Sequence, residues 1–347
     1  MNKYSLPQIQ NLSPYNPPLD GRRAYPGLLL NFNERTIPVA EKVRSKIRAF
    51  VDEGSLQIYP EYGDLCGKIA NYADVNDGQV MITNGSDQGI DLIFRTFTAK
   101  GDKVIIPSPS FAMFYQLADV VGNKVVKPSY EKDGIIKFPL DELLSEIDEN
   151  TKLVVLCNPN NPTGTLISVE EIEEIVVAAR QVGAIVYVDE AYYEFSKVTA
   201  SGLIDKYDNL IITRTFSKAF GLASLRIGYI LACKELIAEL LKVRGPYDVN
   251  MISAIGAEEA LNCLDDLNEY VDEVMIEAKP LVESFLTEKC VKFFESGGNF
   301  ILFEEGPDFN AEMLKKNGAL IRPIVDGLAR LTIGTVSQMK KLLNFIS

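Results

Sequence analysis

The sequence predicts an α/β fold with a mostly parallel sheet, and three observations support this. From about Pro38 onward, short apolar runs alternate with helical segments, the order that builds βαβ units. The apolar runs lack polar alternation, which is typical of parallel strands covered on both faces. At 347 residues the chain is long enough for two domains with a large core.

The elements follow in chain order after an irregular arm that is rich in Pro, Asn and Tyr and extends to about residue 25. Strands are predicted at Val80–Ile82, Val104–Ile106, Leu153–Leu156, Ile185–Val188, Leu210–Thr213, Gly228–Ala232, Phe300–Phe303 and Ala329–Ile333. Helices are predicted at Val39–Val51, from near Ser86, at Val169–Val182, Ile237–Lys242 and Ala254–Leu286 with a break near Pro280, and from about Ser337. No linker of Gly/Ser type separates domains.

Composition excludes several classes of function. A formal net charge of −13 argues against a nucleic-acid partner, and no apolar stretch is long enough for a membrane span. The first residues lack the apolar core of a signal peptide, and the five cysteines are scattered without CxxC pairs, so a reduced, cytoplasmic protein is expected. With no histidine, His-based catalysis and His–metal sites are excluded, and no metal site is predicted.

Lys218 is the most informative residue. It follows the apolar run at Leu210–Thr213, stands directly after Ser217, and precedes Arg226 by eight residues. A lysine at the mouth of a buried strand can bond covalently to an aldehyde cofactor, while a hydroxyl and an arginine hold that cofactor's phosphate. A solvated surface lysine also fits this segment when it is taken alone.

A carboxylate follows another predicted strand. Asp189 ends the run Ile185–Val188, and ligands of open α/β sheets bind beyond the carboxyl ends of the strands. A carboxylate there can pair with a pyridinium nitrogen and keep it protonated, and Tyr192 can hydrogen-bond the phenolic oxygen of the same ring. A helix N-cap at Asp189 and a half-buried aromatic at Tyr192 are the alternatives.

Two further turns follow strands. The segment LVVLCNPNNPTG ends a strand in a rigid loop that offers Asn161 as a neutral donor, although an ordinary turn also fits. The segment VMITNGSDQGI turns at Gly85 into a helix, and free amide groups at a helix start bind phosphate. Simple helix capping by Ser86 or Asp87 is the alternative.

Together these segments resemble the class I/II aminotransferases of fold type I, which depend on pyridoxal phosphate, and most closely the histidinol-phosphate aminotransferases. The resemblance is carried by NPNNPTG, VDEAYYEF and TFSKAFGLASLRIGY, and it extends from NLSPY and LNFNER to RLTIGT. It implies a sheet of seven mostly parallel strands with helices on both faces in a large domain, residues 36–245. Residues 1–35 and 246–347 are expected to form a smaller α+β domain.

The resemblance also implies roles for single residues. Lys218 holds the cofactor aldehyde and moves a proton, Asp189 pairs with the ring nitrogen, Asn161 and Tyr192 bond the phenolic oxygen, and Phe111 stacks on the ring. The cofactor phosphate is expected to lie against Gly85, Ser86, the backbone amide of Asp87, Ser217 and Arg226, with Tyr59 reaching it from the partner subunit of a homodimer.

Substrate recognition is expected to depend on two arginines. Arg330 resembles the residue that binds the substrate α-carboxylate, and Arg322, with Tyr15 and Tyr59, resembles the group that binds the phosphate of histidinol phosphate. The connection 323–329 is shorter than in many members of the family, which could reshape the distal pocket.

The resemblance implies transamination of L-histidinol phosphate with 2-oxoglutarate in histidine biosynthesis. An aromatic aminotransferase acting on phenylalanine is one alternative, and a decarboxylase of a phosphothreonine type is another. A regulatory module that binds pyridoxal phosphate without catalysis is disfavoured because no basic DNA-binding segment is present. Neither a GxGxxG motif nor a P-loop supports a nicotinamide or nucleotide enzyme.

Overall fold

The computed structural model describes residues 4–10, 12–132, 135–325 and 327–344. Its large sheet has seven strands in the order β1-β7-β6-β5-β4-β2-β3. These are β1 (Val80–Thr83), β2 (Lys103–Ile105), β3 (Lys124–Val126), β4 (Thr151–Cys157), β5 (Ile185–Asp189), β6 (Leu210–Thr215) and β7 (Gly228–Ala232). Only β7 runs antiparallel to its neighbours. The predicted mostly parallel, seven-stranded sheet is therefore confirmed.

Strand β3 has no counterpart among the predicted strands. It is only three residues long, and its first residue, Lys124, is exposed. As the edge strand beside β2, it has one hydrogen-bonded neighbour, so it does not show the continuous apolar run of a central parallel strand.

The helices are distributed along the chain, and most of them have an amphipathic face that packs on the core. They are Pro7–Gln10, Glu41–Asp52, Leu65–Ala73, Gly85–Phe97, Ala112–Val121, Leu140–Ser145, Val169–Gln181, Tyr193–Ser196, Lys234–Val243, Met251–Leu261, Leu264–Asp272, Lys279–Glu288, Ala311–Lys316 and Val336–Asn344. Short 3₁₀ turns are at Arg22–Ala24, Asp77–Gln79, Ser201–Leu203 and Ala223–Leu225. The long predicted helix 254–286 is interrupted after Leu261, and a π-helical segment, Glu273–Ala278, precedes the helix that contains Pro280.

A second, antiparallel sheet lies in the C-terminal third. Its order is Phe293–Phe294, Phe300–Glu304, Leu328–Thr332 and Arg322–Pro323. The N-terminal arm joins this region, because Leu28–Leu29 pairs in parallel with Ala319–Leu320. We therefore propose the domain division given above, 36–245 against 1–35 plus 246–347. Glu131–Lys132 and Ile135–Ile136 pair as a small antiparallel hairpin. Asn11 of the NLSPY segment lies outside the described residues.

Alternation along the central strands sends their side chains into two separate cores. In β5, Val186 and Val188 pack into one apolar cluster, whereas Tyr187 packs into the other, beneath the helices Gly85–Phe97 and Ala112–Val121. Asp189 is two residues after Tyr187, so the period of a strand places it on the same face as Tyr187. The carboxyl ends of β4, β5 and β6 meet at one edge of the sheet, where the site lies.

Two further observations concern the whole described chain. Within the described segments, none of the helices combines the length and the apolar character needed to cross a bilayer. The same segments contain no group of three or more Cys, Asp or Glu side chains placed to hold a metal ion.

Candidate active site

Most of the predicted site residues surround one cavity at the carboxyl edge of the large sheet. Its lining comprises Ser86, Asp87, Phe111, Cys157, Asn161, Asp189, Ala191, Tyr192, Thr215, Ser217, Lys218 and Arg226. The sequence did not single out Cys157, Ala191 or Thr215, although Cys157 and Thr215 are the last residues of β4 and β6. Strand ends alone could have indicated them.

The Lys218 amine is buried at the centre of this site. Its Nζ donates a hydrogen bond to the Phe32 carbonyl oxygen at 2.8 Å and lies 5.6 Å from the centre of the Tyr192 ring. Burial, aided by the positive charge of Arg330, lowers the pKa of Lys218 to about 8. A substantial fraction of neutral amine is therefore present near neutral pH, as a lysine nucleophile and base requires.

Asp189 is a buried carboxylate in the lining of the same cavity. Its Oδ1 accepts a hydrogen bond from the Ala191 amide at 3.0 Å, and its side chain is not part of any ion pair among the described residues. Burial raises the pKa of Asp189 to about 7, although the Ala191 amide lowers it in part. A cationic partner would hold this carboxylate in its charged form.

An anion-binding cradle lies where the helix Gly85–Phe97 begins. Gly85 has a φ of +72°, and a Cβ there would lie 2.5 Å from Nη2 of Arg226, so only glycine fits. Arg226 donates to Asp87 Oδ2 at 2.8 Å, to Ser217 Oγ at 3.3 Å and to the Ala223 carbonyl at 3.1 Å. The Asp87 carboxylate thus fixes the guanidinium, and the amides of the helix's first turn remain for an anion.

Arg330 is buried, and it forms no ion pair with an acidic side chain of the described residues. Its guanidinium donates to Asn161 Oδ1 and to the Asn31 carbonyl oxygen at 3.0 Å, while its Nε has no hydrogen-bond partner among the described residues. Burial lowers the pKa of Arg330, and the nearby Arg322 lowers it further. An unpaired buried cation is costly, so the arrangement suits an anionic ligand.

The connection after Arg322 keeps that residue close to Arg330. Arg322 and Arg330 face each other across an antiparallel strand pair, and the turn closes with a hydrogen bond from the Ile324 amide to the Leu328 carbonyl at 2.7 Å. The Arg322 guanidinium lies 6.0 Å from the Phe32 ring centre, and Tyr15 is near enough to act on the charge of Arg330. Asp326 of this connection lies outside the described residues.

Tyr59 is a predicted site residue that points away from the cavity of its own subunit into solvent. Its side chain is 73% exposed, and its ring stacks on Tyr247 with the ring centres 4.5 Å apart. It is absent from the described lining. Its proposed place in the partner's site therefore stays a prediction.

Three consecutive residues of the N-terminal arm contact the site, and residue-by-residue reading of the sequence missed them. The carbonyl of Asn31 accepts from Arg330, that of Phe32 accepts from Lys218, and the Asn33 side chain donates to Tyr192 Oη at 3.0 Å. The Tyr192 pKa is raised to about 12 by burial. The LNFNER segment was the available signal, but its contacts depend on the pairing of distant strands.

The donor set fits pyridoxal phosphate. An amine of lowered pKa, a buried carboxylate and a glycine-lined cradle with an arginine match the aldehyde, the ring nitrogen and the phosphate of that cofactor. Phe111 lies in the same cavity and packs edge-on against Phe114, with ring centres 5.6 Å apart. Its ring is thus fixed in orientation at the wall of the cavity.

Comparisons with known proteins identify similar chains and a similar fold. A dihydroxyacetone phosphate transaminase of Campylobacter jejuni is 38% identical over 90% of this chain and 87% of its own length. A histidinol-phosphate aminotransferase of Staphylococcus carnosus is 35% identical over 98% of this chain and 97% of its own. The crystal structure of histidinol-phosphate aminotransferase from Sinorhizobium meliloti with pyridoxal-5'-phosphate shares the fold, with a TM-score of 0.85, 24% identity, and coverage of 99% of this chain and 98% of that one.

The family model described as aminotransferase class I and II matches residues 26–346, which is nearly the whole chain. This chain therefore belongs to the class I and II aminotransferases and is an enzyme that uses pyridoxal phosphate.

Proposed function

We propose that the enzyme transaminates L-histidinol phosphate with 2-oxoglutarate, giving imidazole-acetol phosphate and L-glutamate in histidine biosynthesis. The observation that carries this is the pair of facing arginines. Arg330 is buried without an acidic partner and Arg322 stands opposite it, so together they offer two cations to an anionic substrate. Several histidinol-phosphate aminotransferases that are 30–35% identical to this chain support the same substrate.

The site residues divide the work in this proposal. When bound, pyridoxal phosphate supplies an electron sink for the charge that develops at the substrate Cα. The Lys218 amine carries a proton between the substrate Cα and the cofactor. A pKa of about 8 lets this amine both accept and release that proton. Asp189 stabilises a protonated ring nitrogen, Asn161 and Tyr192 bond the phenolic oxygen, and Phe111 stacks on the ring. Gly85, Ser86, the Asp87 amide, Ser217 and Arg226 hold the phosphate.

The assembly belongs to the same proposal. We expect a homodimer in which Tyr59 of each subunit reaches the cofactor phosphate of the other, and the exposed ring of Tyr59 is available for that contact. Exposed apolar side chains near it, Leu56 and Ile58, suit a subunit interface. Residence in the cytoplasm stays a prediction from the free, scattered cysteines.

A second candidate substrate is dihydroxyacetone phosphate with an amino donor such as glutamate. The relative with 38% identity carries that activity in its name, and the two arginines suit any small phosphate ester. The two candidate substrates share the phosphate group and differ in whether the substrate also carries an imidazole ring. Phenylalanine and O-phosphothreonine represent the aromatic and decarboxylase alternatives.

The deciding experiment measures kcat/KM for the purified enzyme with each candidate. L-Histidinol phosphate, phenylalanine and O-phosphothreonine are supplied with 2-oxoglutarate, dihydroxyacetone phosphate is supplied with glutamate, and carbon dioxide is assayed in parallel. The proposal expects histidinol phosphate to exceed the others by at least about tenfold, without carbon dioxide. A higher value for dihydroxyacetone phosphate or phenylalanine, or gas from phosphothreonine, would replace it with the corresponding alternative.

Arg322→Ala tests the distal site separately. We expect kcat/KM for the phosphorylated substrate to fall about 10- to 100-fold, because a charge-assisted hydrogen bond to phosphate is lost, with a much smaller change for phenylalanine. Arg95→Ala is the matched control, since Arg95 is an exposed arginine paired with Asp91 outside the described lining of the cavity. Equal losses for both substrates would remove Arg322 from phosphate recognition.

A further inference from the structure

Two buried hydroxyl groups lie behind Asp189 on the same face of the large sheet. Thr213 of β6 is the register partner of Asp189 in β5, and its hydroxyl lowers the pKa of that carboxylate, as a neighbouring donor does. Tyr187 Oη lies 2.8 Å from Thr213 Oγ1. Both hydroxyl-bearing residues are fully buried, and neither belongs to the described lining of the cavity.

The direction of this hydrogen-bond chain depends on the charge of Asp189. An ionised carboxylate only accepts, so Thr213 must donate its single proton to Asp189. The Thr213 oxygen can then only accept from Tyr187, so the phenol donates to it. The order Tyr187 to Thr213 to Asp189 therefore belongs to the charged form of the carboxylate.

The packing holds both hydroxyls in place. A Cβ at Gly89 would lie 3.1 Å from Thr213 Cγ2, so the helix Gly85–Phe97 closes over the threonine. The Tyr187 ring packs edge-on against Phe114, with ring centres 5.9 Å apart, and Phe114 in turn packs against Phe111. Such fixed donors stabilise a buried charge without having to reorganise around it.

We propose that Tyr187 and Thr213 are positioning residues that keep Asp189 ionised and aimed at the cofactor's ring nitrogen. In a chain without histidine, two hydroxyls in series supply the neutral donors that a buried carboxylate needs. The inference rests on the proposed role of Asp189 and deepens it. In this inference the two hydroxyls act on the charge of Asp189, and through it on the protonation of the ring nitrogen, from outside the cavity.

Other groups also act on Asp189. The titratable or polar groups that face it are Asp87 on the helix Gly85–Phe97, Cys157 at the end of β4, Tyr187 on β5, Tyr192 beyond β5, Thr213 on β6, and Lys218 after β6. Of these, Lys218 and the hydroxyl of Thr213 favour the charged form, while Asp87 opposes it. Removing a donor while leaving the rest in place therefore isolates the effect of the hydroxyl chain.

The test compares the wild type with the variants Thr213→Val and Tyr187→Phe. It measures the affinity of each apoenzyme for pyridoxal phosphate and the kcat of each holoenzyme. The pH range is about 5.5–8.5, which brackets the titration of a carboxylate of raised pKa. Because protonation removes the charge that pairs with the ring nitrogen, affinity should fall on the acid side. The acid limb is the pH range in which affinity falls on acidification. Thr213→Val is expected to move it to higher pH by about one unit, since a donor to the charged form of Asp189 is lost. Tyr187→Phe should move it the same way by about half a unit.

Two controls separate positioning from packing. Thr213→Ser keeps the hydroxyl and should retain the wild-type limb, although it removes a methyl group. Tyr115 lies on the helix Ala112–Val121, and its phenol donates to the Pro107 carbonyl at 2.8 Å. Tyr115→Phe removes this phenol and should leave the acid limb unchanged. If Thr213→Val does not fold, the comparison of Tyr187→Phe with Tyr115→Phe decides the matter.

The outcomes distinguish this inference from the proposal on which it rests. An acid limb that does not move in Thr213→Val or Tyr187→Phe, or that moves equally in Tyr115→Phe, would overturn the positioning role. Asp189→Asn is measured alongside them. Near-normal kcat and affinity in that variant would overturn the role of Asp189 itself, whereas a large loss there with unmoved limbs in the others would overturn only the hydroxyl chain.

Discussion

Two neighbouring pairs of residues at the ends of β5 and β6 differ sharply in how their polar groups are satisfied. Asp189 lines the cavity with Thr213 behind it, and Asp189 has no ion-pair partner among the described residues. Glu190 and Arg214, each one position later, form a buried ion pair in which Arg214 Nε donates to Glu190 Oε2 at 2.9 Å. The side chains of that pair are at most 1% exposed.

The Glu190–Arg214 pair is also supported by further hydrogen bonds. Glu190 Oε1 accepts from the Ala200 amide at 2.8 Å, and Thr199 Oγ1 donates to Glu190 and accepts from Arg214. The guanidinium lies 3.6 Å from the centre of the Tyr193 ring. A buried charge with such a set of partners holds structure, whereas a buried charge that lacks one indicates a ligand. The difference teaches that an ion-pair partner, rather than burial, distinguishes the Glu190–Arg214 pair from Asp189.

The largest expected effect is on the cavity side, from Lys218→Ala. We expect turnover to fall by about 10⁴-fold or more and the visible absorption of the lysine-bound cofactor to disappear, because no other amine replaces Nζ. The free energy of unfolding of the apoenzyme should not fall, since the only hydrogen bond of Lys218 within the described chain goes to the Phe32 carbonyl. Steady-state kinetics, absorption spectra and urea unfolding measure these quantities. Substantial remaining turnover would refute the assignment of Lys218.

The reverse pattern is expected from Glu190→Gln on the other face. Removing one partner of a buried ion pair leaves Arg214 uncompensated, so the free energy of unfolding should fall by about 3–5 kcal/mol. The kcat per folded, cofactor-loaded molecule should change little, because Glu190 faces away from the cavity. Urea unfolding gives the first quantity, and kcat normalised to bound cofactor gives the second. A large loss of normalised kcat with unchanged stability would reverse the comparison.

Asp189→Asn should give a smaller effect on the cavity side. We expect about a 10²-fold loss of kcat, because an amide cannot stabilise a protonated ring nitrogen, while the apoenzyme is as stable as the wild type or more so. The gain in stability follows from removing a carboxylate whose pKa is raised to about 7 by burial. Kinetics and unfolding at pH 8 test both statements. A loss of stability equal to that of Glu190→Gln would show that both carboxylates are structural.

The sequence singled out most of the residues that line the cavity, but it did not single out the Glu190–Arg214 pair. Lys218 and Arg226 lie in one short segment and Asp189 lies in another, and the residue types of both segments imply their chemistry. The alternation of strands and helices predicted the sheet. Asn33 and Thr213 were missed because their importance depends on contacts between distant segments, such as the donor from Asn33 to Tyr192. Strand register, which pairs Thr213 with Asp189, cannot be read from either strand alone.

Glu194 provides the smallest and most selective test of the comparison. It lies on the Arg214 side, accepts from Tyr72 Oη at 3.3 Å, and has one buried oxygen without a partner in the described chain. Burial raises its pKa to about 7, so its protonated form favours the fold at low pH, and that stability is lost as pH rises through about 7.

Glu194→Gln should therefore gain stability relative to the wild type by about 1–2 kcal/mol between pH 5 and pH 8, because glutamine keeps the shape without the buried charge. Asp189→Asn is expected to show the same trend in the apoenzyme, since the pKa of Asp189 is raised in the same direction. Binding of pyridoxal phosphate should remove the trend for Asp189, whose charge then has a partner, but leave it for Glu194. Urea unfolding of both variants and the wild type, as apo- and holoenzyme, distinguishes the two carboxylates. If the cofactor suppressed both trends equally, the unpaired oxygen of Glu194 would belong to the same ligand-linked network as Asp189, and the division between the two faces would not hold.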